Sequence, residues 1–182
     1  MVSDFRKKKL LLVFQVFFDT DKSGTIEKSD FEKSAEGLAK ARGWAPGSPA
    51  LEVAKEHLTN IWNGLQKAAD IDGDGKITQE EWLSLWDKYA QTSTPQEWQD
   101  VFCKSLFHVQ DSGGDGAIDA EEYSTVQQSF GIDKAQAVEA FKKMAQGKDS
   151  ITWAEYQTLF KEYFTSDDPN ALGNCILGQP SF

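Results

Sequence analysis

The segment from Asp70 to Glu81, which reads DIDGDGKITQEE, carries carboxylates at every second position of its first half. Asp70, Asp72 and Asp74 can each offer one oxygen to a single cation, and Glu81 can offer two. Gly75 permits the backbone turn with positive φ that such a short loop requires. An acidic surface turn needs no such spacing, so the segment predicts an all-oxygen site for Ca²⁺. The predicted ligands are Asp70, Asp72, Asp74, the backbone carbonyl of Lys76, Thr78 and Glu81.

An earlier segment, 19–30, has the same spacing but ends in Asp30 instead of glutamate. The shorter side chain makes two-oxygen binding of a large ion harder and makes an octahedral Mg²⁺ site more accessible. We therefore expect this first loop to accept both Ca²⁺ and Mg²⁺, whereas the second loop, 70–81, should prefer Ca²⁺. The predicted ligands of the first loop are Asp19, Asp21, Ser23, the carbonyl of Thr25, Glu27 and Asp30.

A third loop, 111–122, keeps most of the pattern but has Gly113 where a side-chain ligand belongs. Water would have to complete the coordination there, so we expect Ca²⁺ to bind with an affinity different from that of the second loop. The predicted ligands are Asp111, Asp115, the carbonyl of Ala117, Asp119 and Glu122.

The fourth copy, 144–155, is degenerate because it places Met144, Gln146 and Lys148 where oxygen ligands are needed. The Lys148 ammonium would repel a metal ion, so we expect no metal in this loop. Its Ile151 can still pair with another loop. We expect short β pairings that join Ile26 to Ile77 and Ile118 to Ile151, because unpaired backbone groups are costly.

Apolar residues at helical spacing flank the loops, such as the stripe of Tyr123, Val126 and Phe130 after the third. This pattern is that of the EF-hand, a helix–loop–helix unit. We predict an all-α fold of four EF-hand units, in two pairs packed into one compact body. The short linker near Thr92 divides the chain into residues 1–92, residues 93–164 and a C-terminal tail, 165–182.

The formal charge of −10 argues against a nucleic-acid partner and indicates a need for cations. Three bound Ca²⁺ would add six positive charges and leave about −4. The basic run Arg6–Lys9 is interpreted as the solvated end of a helix and not as a membrane anchor. Cys103 and Cys175 are expected to be buried thiols. No small-residue cleavage site follows the apolar run at the start of the chain, so we expect a cytoplasmic protein.

Five stretches of sequence resemble the invertebrate sarcoplasmic calcium-binding proteins and their calexcitin-like branch. They also resemble the insect juvenile hormone diol kinases within that branch. The resemblance implies a protein with three calcium sites and, for the kinases, ATP-dependent phosphorylation of a terpenoid diol. The stretches are SDFRKKKLLLVF at 3–14, IWNGLQKAAD at 61–70, EEWLSLW at 80–86, EYSTV at 122–126 and GNCILG at 173–178.

The motifs favour a calcium buffer or calcium-signalling protein over an enzyme. A Walker A loop would need Ser or Thr after its Gly-Lys pair, but Ile77 and Asp149 follow the two pairs present. We therefore assign no catalytic or ATP-binding residue. Only Met1 and Met144 are methionines, so a Met-rich groove of the calmodulin type is not expected, and no protein partner is predicted.

A third hypothesis is a carrier of an apolar small molecule, such as a terpenoid. Tryptophan side chains could either line a cavity for such a ligand or form ordinary core. Those considered are Trp44, Trp62, Trp86, Trp98 and Trp153.

Overall fold

The computed structural model describes residues 2–92, 94–129 and 131–178. Ser93, at the predicted boundary between the two pairs, Phe130 of the apolar stripe and residues 179–182 of the tail lie outside these ranges. The predicted all-α class is confirmed. The helices are α1 (Asp4–Val13), α2 (Lys28–Arg42), α3 (Pro49–Ala69), α4 (Gln79–Thr92), α5 (Glu97–Gln110), α6 (Ala120–Ser129), α7 (Lys134–Ala145) and α8 (Trp153–Thr165), and the strands are β1 (Ala117–Asp119) and β2 (Ser150–Thr152).

Local sequence explains where several helices begin and end. Ser48 caps α3 by accepting a hydrogen bond from the Leu51 N–H at 3.4 Å, and Pro49 follows as the first helical residue. Helix α2 ends at Gly43, whose φ of 67° is a conformation that glycine adopts at little cost. At the end of α1 the chain makes a π-helical turn, Phe14–Phe18, which leads directly into the first loop.

The loops are joined in pairs by short antiparallel contacts. Ile26 and Ile77 exchange two backbone hydrogen bonds of 2.9 Å. In the other pair, Ile118 of β1 lies opposite Ile151 of β2. All four isoleucines are buried. Both predicted pairings are therefore confirmed, and each one also contributes apolar side chains to a core.

The backbone contacts divide the chain into two compact units. The first is built mainly from Leu10–Phe102. Its core is aromatic: the Trp82 ring lies 5.0 Å from Phe18 and 5.5 Å from Trp86 between ring centroids. The Trp82 indole N–H also donates to the Leu10 carbonyl at 2.9 Å. Such packing combines large buried area with fixed ring geometry, so it favours a rigid core.

The second unit combines Ser3–Lys9 with the chain from Cys103 onward. Its core contains Phe107, whose ring is 5.1 Å from Trp153 and 5.3 Å from Tyr156. The tail forms a 3₁₀ helix, Leu172–Cys175, that contacts α7 and α8. Gly173 is required there, because a Cβ at this position would lie 2.4 Å from the Leu159 carbonyl oxygen.

The interpretation of Arg6–Lys9 as a solvated helix end is wrong for two of its four residues. Arg6 and Lys9 are buried, whereas Lys7 and Lys8 are exposed. The Lys9 Nζ donates to the Ser166 carbonyl at 2.9 Å and to Asn174 Oδ1 at 2.8 Å. These two acceptors are supplied by the C-terminal part of the chain. Burial lowers the pKa of Lys9 from 10.5 to about 8.

Candidate metal centres

The second loop connects α3 to α4 and brings its three aspartates together. Each of Asp70, Asp72 and Asp74 has a carboxylate oxygen within 4.8 Å of the other two. Ligand oxygens that are 2.3–2.6 Å from one Ca²⁺ lie at most about 5 Å apart, so this spacing suits a shared ion. Gly75 has a φ of 80°, and its N–H donates to Asp70 Oδ2 at 3.1 Å. The residues present therefore fit a calcium ion.

Glu81 connects the second loop to the first turn of α4. Its Oε1 accepts from the Ile71 N–H at 2.9 Å, and its Oε2 accepts from the N–H and the hydroxyl of Thr78, both at 2.9 Å. Burial opposes the charged form, but hydrogen bonds from Thr78 and Ile71 outweigh it and hold the pKa of Glu81 below its usual value. The side chain is thus ionised and oriented toward the loop at neutral pH.

The first loop forms a second cluster of carboxylates. Oxygens of Asp19, Asp21 and Asp30 lie within 4.8 Å of one another, and Asp19 and Asp30 are buried. Asp30 Oδ1 accepts from the Thr20 N–H at 3.0 Å, and its Oδ2 accepts from the Glu27 N–H at 2.8 Å. Burial of ionised carboxylates is costly unless a cation or strong donors compensate, so this cluster also fits a metal ion.

Two lysines contact ligands of the first loop, which sequence reasoning missed. Lys33 of α2 places its Nζ 2.6 Å from Asp21 Oδ2, and Lys76 of the second loop places its Nζ 2.9 Å from Glu27 Oε1. The hydrogen bond from Lys33 lowers the pKa of Asp21, and that from Lys76 lowers the pKa of Glu27. Lys33 follows Asp30 by three residues, so its place on α2 was readable from sequence, but the bridge from Lys76 was not.

The third loop has a more open arrangement. Asp111 accepts from the Asp115 N–H at 3.1 Å and the Gly116 N–H at 3.0 Å, while Glu122 Oε1 accepts from the Gly113 N–H at 2.7 Å. Within the described ranges, no three carboxylates of this loop come within 4.8 Å of one another. The third loop, with Gly113 in place of a side-chain ligand, therefore differs from the first two loops in having no such carboxylate cluster among its described residues.

The fourth loop is shortened by its own helix. Helix α7 continues to Ala145, so Met144 is a buried core residue and only residues 146–149 separate α7 from β2. The corresponding segment of the third loop is residues 111–116. Lys148 forms an ion pair with Glu155, and this contact lowers the pKa of Glu155 to about 2. The ammonium group thus already neutralises the last acidic position.

Within the described residues, the five tryptophans differ in their surroundings. Trp86 packs edge-to-face on Trp98 at 5.8 Å in the core of the first unit. A cavity of about 670 Å³ lies instead between α2 and α3, and its wall includes two of the five tryptophans. The main apolar residues around it are Phe31, Ala35, Trp44, Leu51, Leu58 and Trp62.

Comparison with known proteins finds the same architecture. A family model described as EF hand matches residues 16–33 and 67–86, which contain the first two loops. Sarcoplasmic calcium-binding proteins I, III and IV of Branchiostoma lanceolatum are 27% identical over 98% of both chains. Calexcitin-1 of Caenorhabditis elegans is 28% identical over 97% of this chain and 88% of its own.

Solved structures agree with these sequence matches. A sarcoplasmic calcium-binding protein from amphioxus superposes with a TM-score of 0.88 at 25% identity, covering 99% of this chain and 100% of that one. Calcium-loaded apo-aequorin from Aequorea victoria shares the fold, with a TM-score of 0.67 at 18% identity and 92% and 94% coverage.

Four helix–loop–helix units joined pairwise through their loops define an EF-hand protein. Within that class, the chain is similar over nearly its whole length to sarcoplasmic calcium-binding proteins and to a calexcitin, which confirms the resemblance predicted from its sequence. In the described residues, no helix has the length and apolarity needed to cross a bilayer.

Proposed function

We propose that this protein binds Ca²⁺ in the cytoplasm as a calcium buffer or calcium-signalling protein. The observation that carries the proposal is the pair of carboxylate clusters in the first two loops, each with three oxygens within 4.8 Å. Carboxylate and carbonyl oxygens are the ligands that Ca²⁺ takes in proteins. The family relationship supports the same function.

The proposal assigns three sites to the first, second and third loops, with Mg²⁺ competing at the first. Replacing Glu81 by Gln tests the second site, because it removes a charged ligand while keeping the size of the side chain. We expect calcium affinity at that site to fall by roughly tenfold or more in a calorimetric titration. Glu80→Gln, at the adjacent position, is the matched control. Unchanged affinity in Glu81→Gln would remove the basis for this assignment.

The rigid aromatic core favours a buffer over a sensor that opens a wide groove. Trp82 and Trp86 are fully buried and in contact with each other. A calcium-driven opening would expose apolar surface, which a fluorescent dye such as ANS detects. We expect little change in dye fluorescence on calcium addition. A large calcium-dependent increase would favour the sensor.

A second candidate function is carriage of an apolar small molecule of the terpenoid class in the cavity between α2 and α3. Its volume of about 670 Å³ falls within the range of small-molecule sites, and its wall contains the aromatic rings of Phe31, Trp44 and Trp62. Fluorescence titration of the tryptophans with a terpenoid diol tests this candidate. Leu58→Arg should abolish binding, whereas Val53→Arg, at an exposed position on the same helix, should not.

ATP-dependent phosphorylation of a terpenoid diol, which the resemblance to juvenile hormone diol kinases implies, stays a prediction. It is tested by incubating the folded, calcium-loaded protein with ATP, Mg²⁺ and the diol. Saturable product above a protein-free control would establish an enzyme. Absence of product would leave metal binding as the function to pursue.

A further inference from the structure

Lysine ammonium groups are distributed unevenly among the four loops. Two contact predicted ligands of the first loop, and one contacts the last acidic residue of the fourth. In the described ranges, no ion pair involves a ligand carboxylate of the second or third loop. The loops therefore differ in how far the protein already neutralises them before any metal binds.

Lys33 reaches the first loop from α2. Its Nζ lies 2.6 Å from Asp21 Oδ2, and both side chains are partly exposed, at 51% and 33% of their area. Asp21 also takes part in the carboxylate cluster with Asp19 and Asp30. A divalent ion bound by that cluster would compete with Lys33 for the Asp21 carboxylate. The two cations would repel each other at this short distance, and each would weaken the attraction of the carboxylate for the other.

Lys76 connects the first loop to the second. Its backbone carbonyl is a predicted ligand of the second loop, while its Nζ lies 2.9 Å from Glu27 Oε1 of the first. The neighbouring Ile77 is fixed by its two backbone hydrogen bonds to Ile26. The position of the Lys76 backbone is thus set by the paired loops, and its side chain spans from one site to the other.

We propose that Lys33 and Lys76 are internal counter-cations of the first loop, which a divalent ion must displace from Asp21 and Glu27. They lower the metal affinity of the first loop relative to that of the second. Lys76 also makes the occupancy of the two loops interdependent, because it belongs to both. The inference rests on the proposed metal-binding function. It adds two residues whose side chains adjust the metal affinity of the first loop without binding the metal themselves.

The test compares Lys33→Met, Lys76→Met and the double variant with wild type. Both substitutions keep the aliphatic part of the side chain, and Lys76→Met keeps the backbone carbonyl. Lys40→Met is the matched control, because Lys40 is exposed on the same helix as Lys33 and forms no ion pair with a loop carboxylate in the described ranges. All single variants change the net charge equally.

Calcium titration is followed by ¹⁵N NMR at the Gly24 and Gly75 amides. Each amide donates to the first aspartate of its loop, so the two signals report the first and second loops separately. We expect each of the Lys33 and Lys76 substitutions to tighten binding at Gly24 by about threefold to fivefold, with less effect at high salt. We expect Lys40→Met to change it by less than about twofold.

Two outcomes separate failure of this inference from failure of the proposed function. Wild-type signals from Gly24 and Gly75 that do not respond to calcium would overturn metal binding itself. A normal wild-type response, with Lys33→Met and Lys76→Met indistinguishable from Lys40→Met, would overturn only the role of the two lysines. The calcium affinity reported by Gly24 could change in Lys76→Met while its dependence on occupancy of the second loop, reported by Gly75, stays the same. That result would refute the interdependence of the two loops.

Discussion

Replacing Lys9 by Met should remove a pH dependence of stability that the buried ammonium creates. Lys9 has no exposed area, and its Nζ lies 5.0 Å from the centroid of the Phe5 ring and 5.2 Å from that of Tyr163. The charged groups that act on it are Asp167, Arg6 and Glu162. Together with the hydrogen bonds to Ser166 and Asn174, these contacts replace only part of the hydration that the ammonium has in the unfolded chain, so the charged form is disfavoured in the fold.

The size of the effect follows from the pKa. Burial lowers the pKa of Lys9 from 10.5 to about 8, although Asp167 acts in the opposite direction. The unfolded chain therefore holds this proton more tightly than the folded protein. The free energy of unfolding should rise as the pH increases through the folded pKa, and the rise should end above the unfolded pKa. Between pH 7 and 9.5 the gain is at most about 2 kcal/mol.

Urea denaturation at several pH values measures this gain for wild type, Lys9→Met and Lys8→Met. Burial also raises the pKa of Cys175 and that of Tyr163, which affects stability in alkaline solution. The contribution of Cys175 is common to all three proteins and cancels in the difference, and that of Tyr163 is small below pH 9.5, because an ordinary tyrosine titrates at about 10. We expect Lys8→Met, with an exposed lysine changed, to follow wild type. Parallel pH profiles for wild type and Lys9→Met would refute the reasoning.

Three further predictions, one of them with a matched comparison variant, have defined outcomes. Lys148→Met should raise the pKa of Glu155 from about 2 toward that of a free glutamate, measured by NMR titration of its carboxyl carbon; an unchanged value would exclude the ion pair as its cause. Gly173→Ala should destabilise the fold by about 1–3 kcal/mol in urea, because its Cβ would clash with a backbone oxygen. Gly37→Ala, in a helix with open space around the new Cβ, should instead stabilise it by about 0.5–1 kcal/mol, so equal effects would contradict the clash. Asp30→Glu should shift the first loop from Mg²⁺ toward Ca²⁺ in a competition titration, and an unchanged preference would refute the role given to side-chain length.

The loops and their pairing could be read from sequence because both depend on local spacing. Twelve consecutive residues contain the predicted ligands of each of the first three loops, and one isoleucine in each of the four loops identifies its pairing partner. Burial of Arg6 and Lys9 could not be read in this way. Their acceptors include the carbonyls of Thr165 and Ser166, far along the chain, and a basic run next to them gives no signal for such contacts.

The full length of helix α7 was readable from the sequence, but alignment of the repeats gave a different boundary. Aligning the fourth copy on Ile151 and Glu155 assigned Met144 to the loop. The apolar residues before it nevertheless continue with helical spacing to the end of α7, and that spacing is the better guide, since the loop has no ligands to hold it open. The buried residues of this stripe are Ala137, Ala140, Phe141, Met144 and Ala145.

The ion pair between Lys148 and Glu155 lies in the fourth loop, which pairs with the third. The fourth loop can therefore be ordered without binding calcium. A cation supplied by the chain has a fixed effective concentration, so changes in free metal ion cannot empty this position. The strand that contains Ile151 therefore needs no metal ion in its own loop to lie opposite Ile118. If the third loop binds an ion, as proposed above, only one loop of the pair has to be ordered instead of two, and the entropy loss of binding would be smaller for that reason.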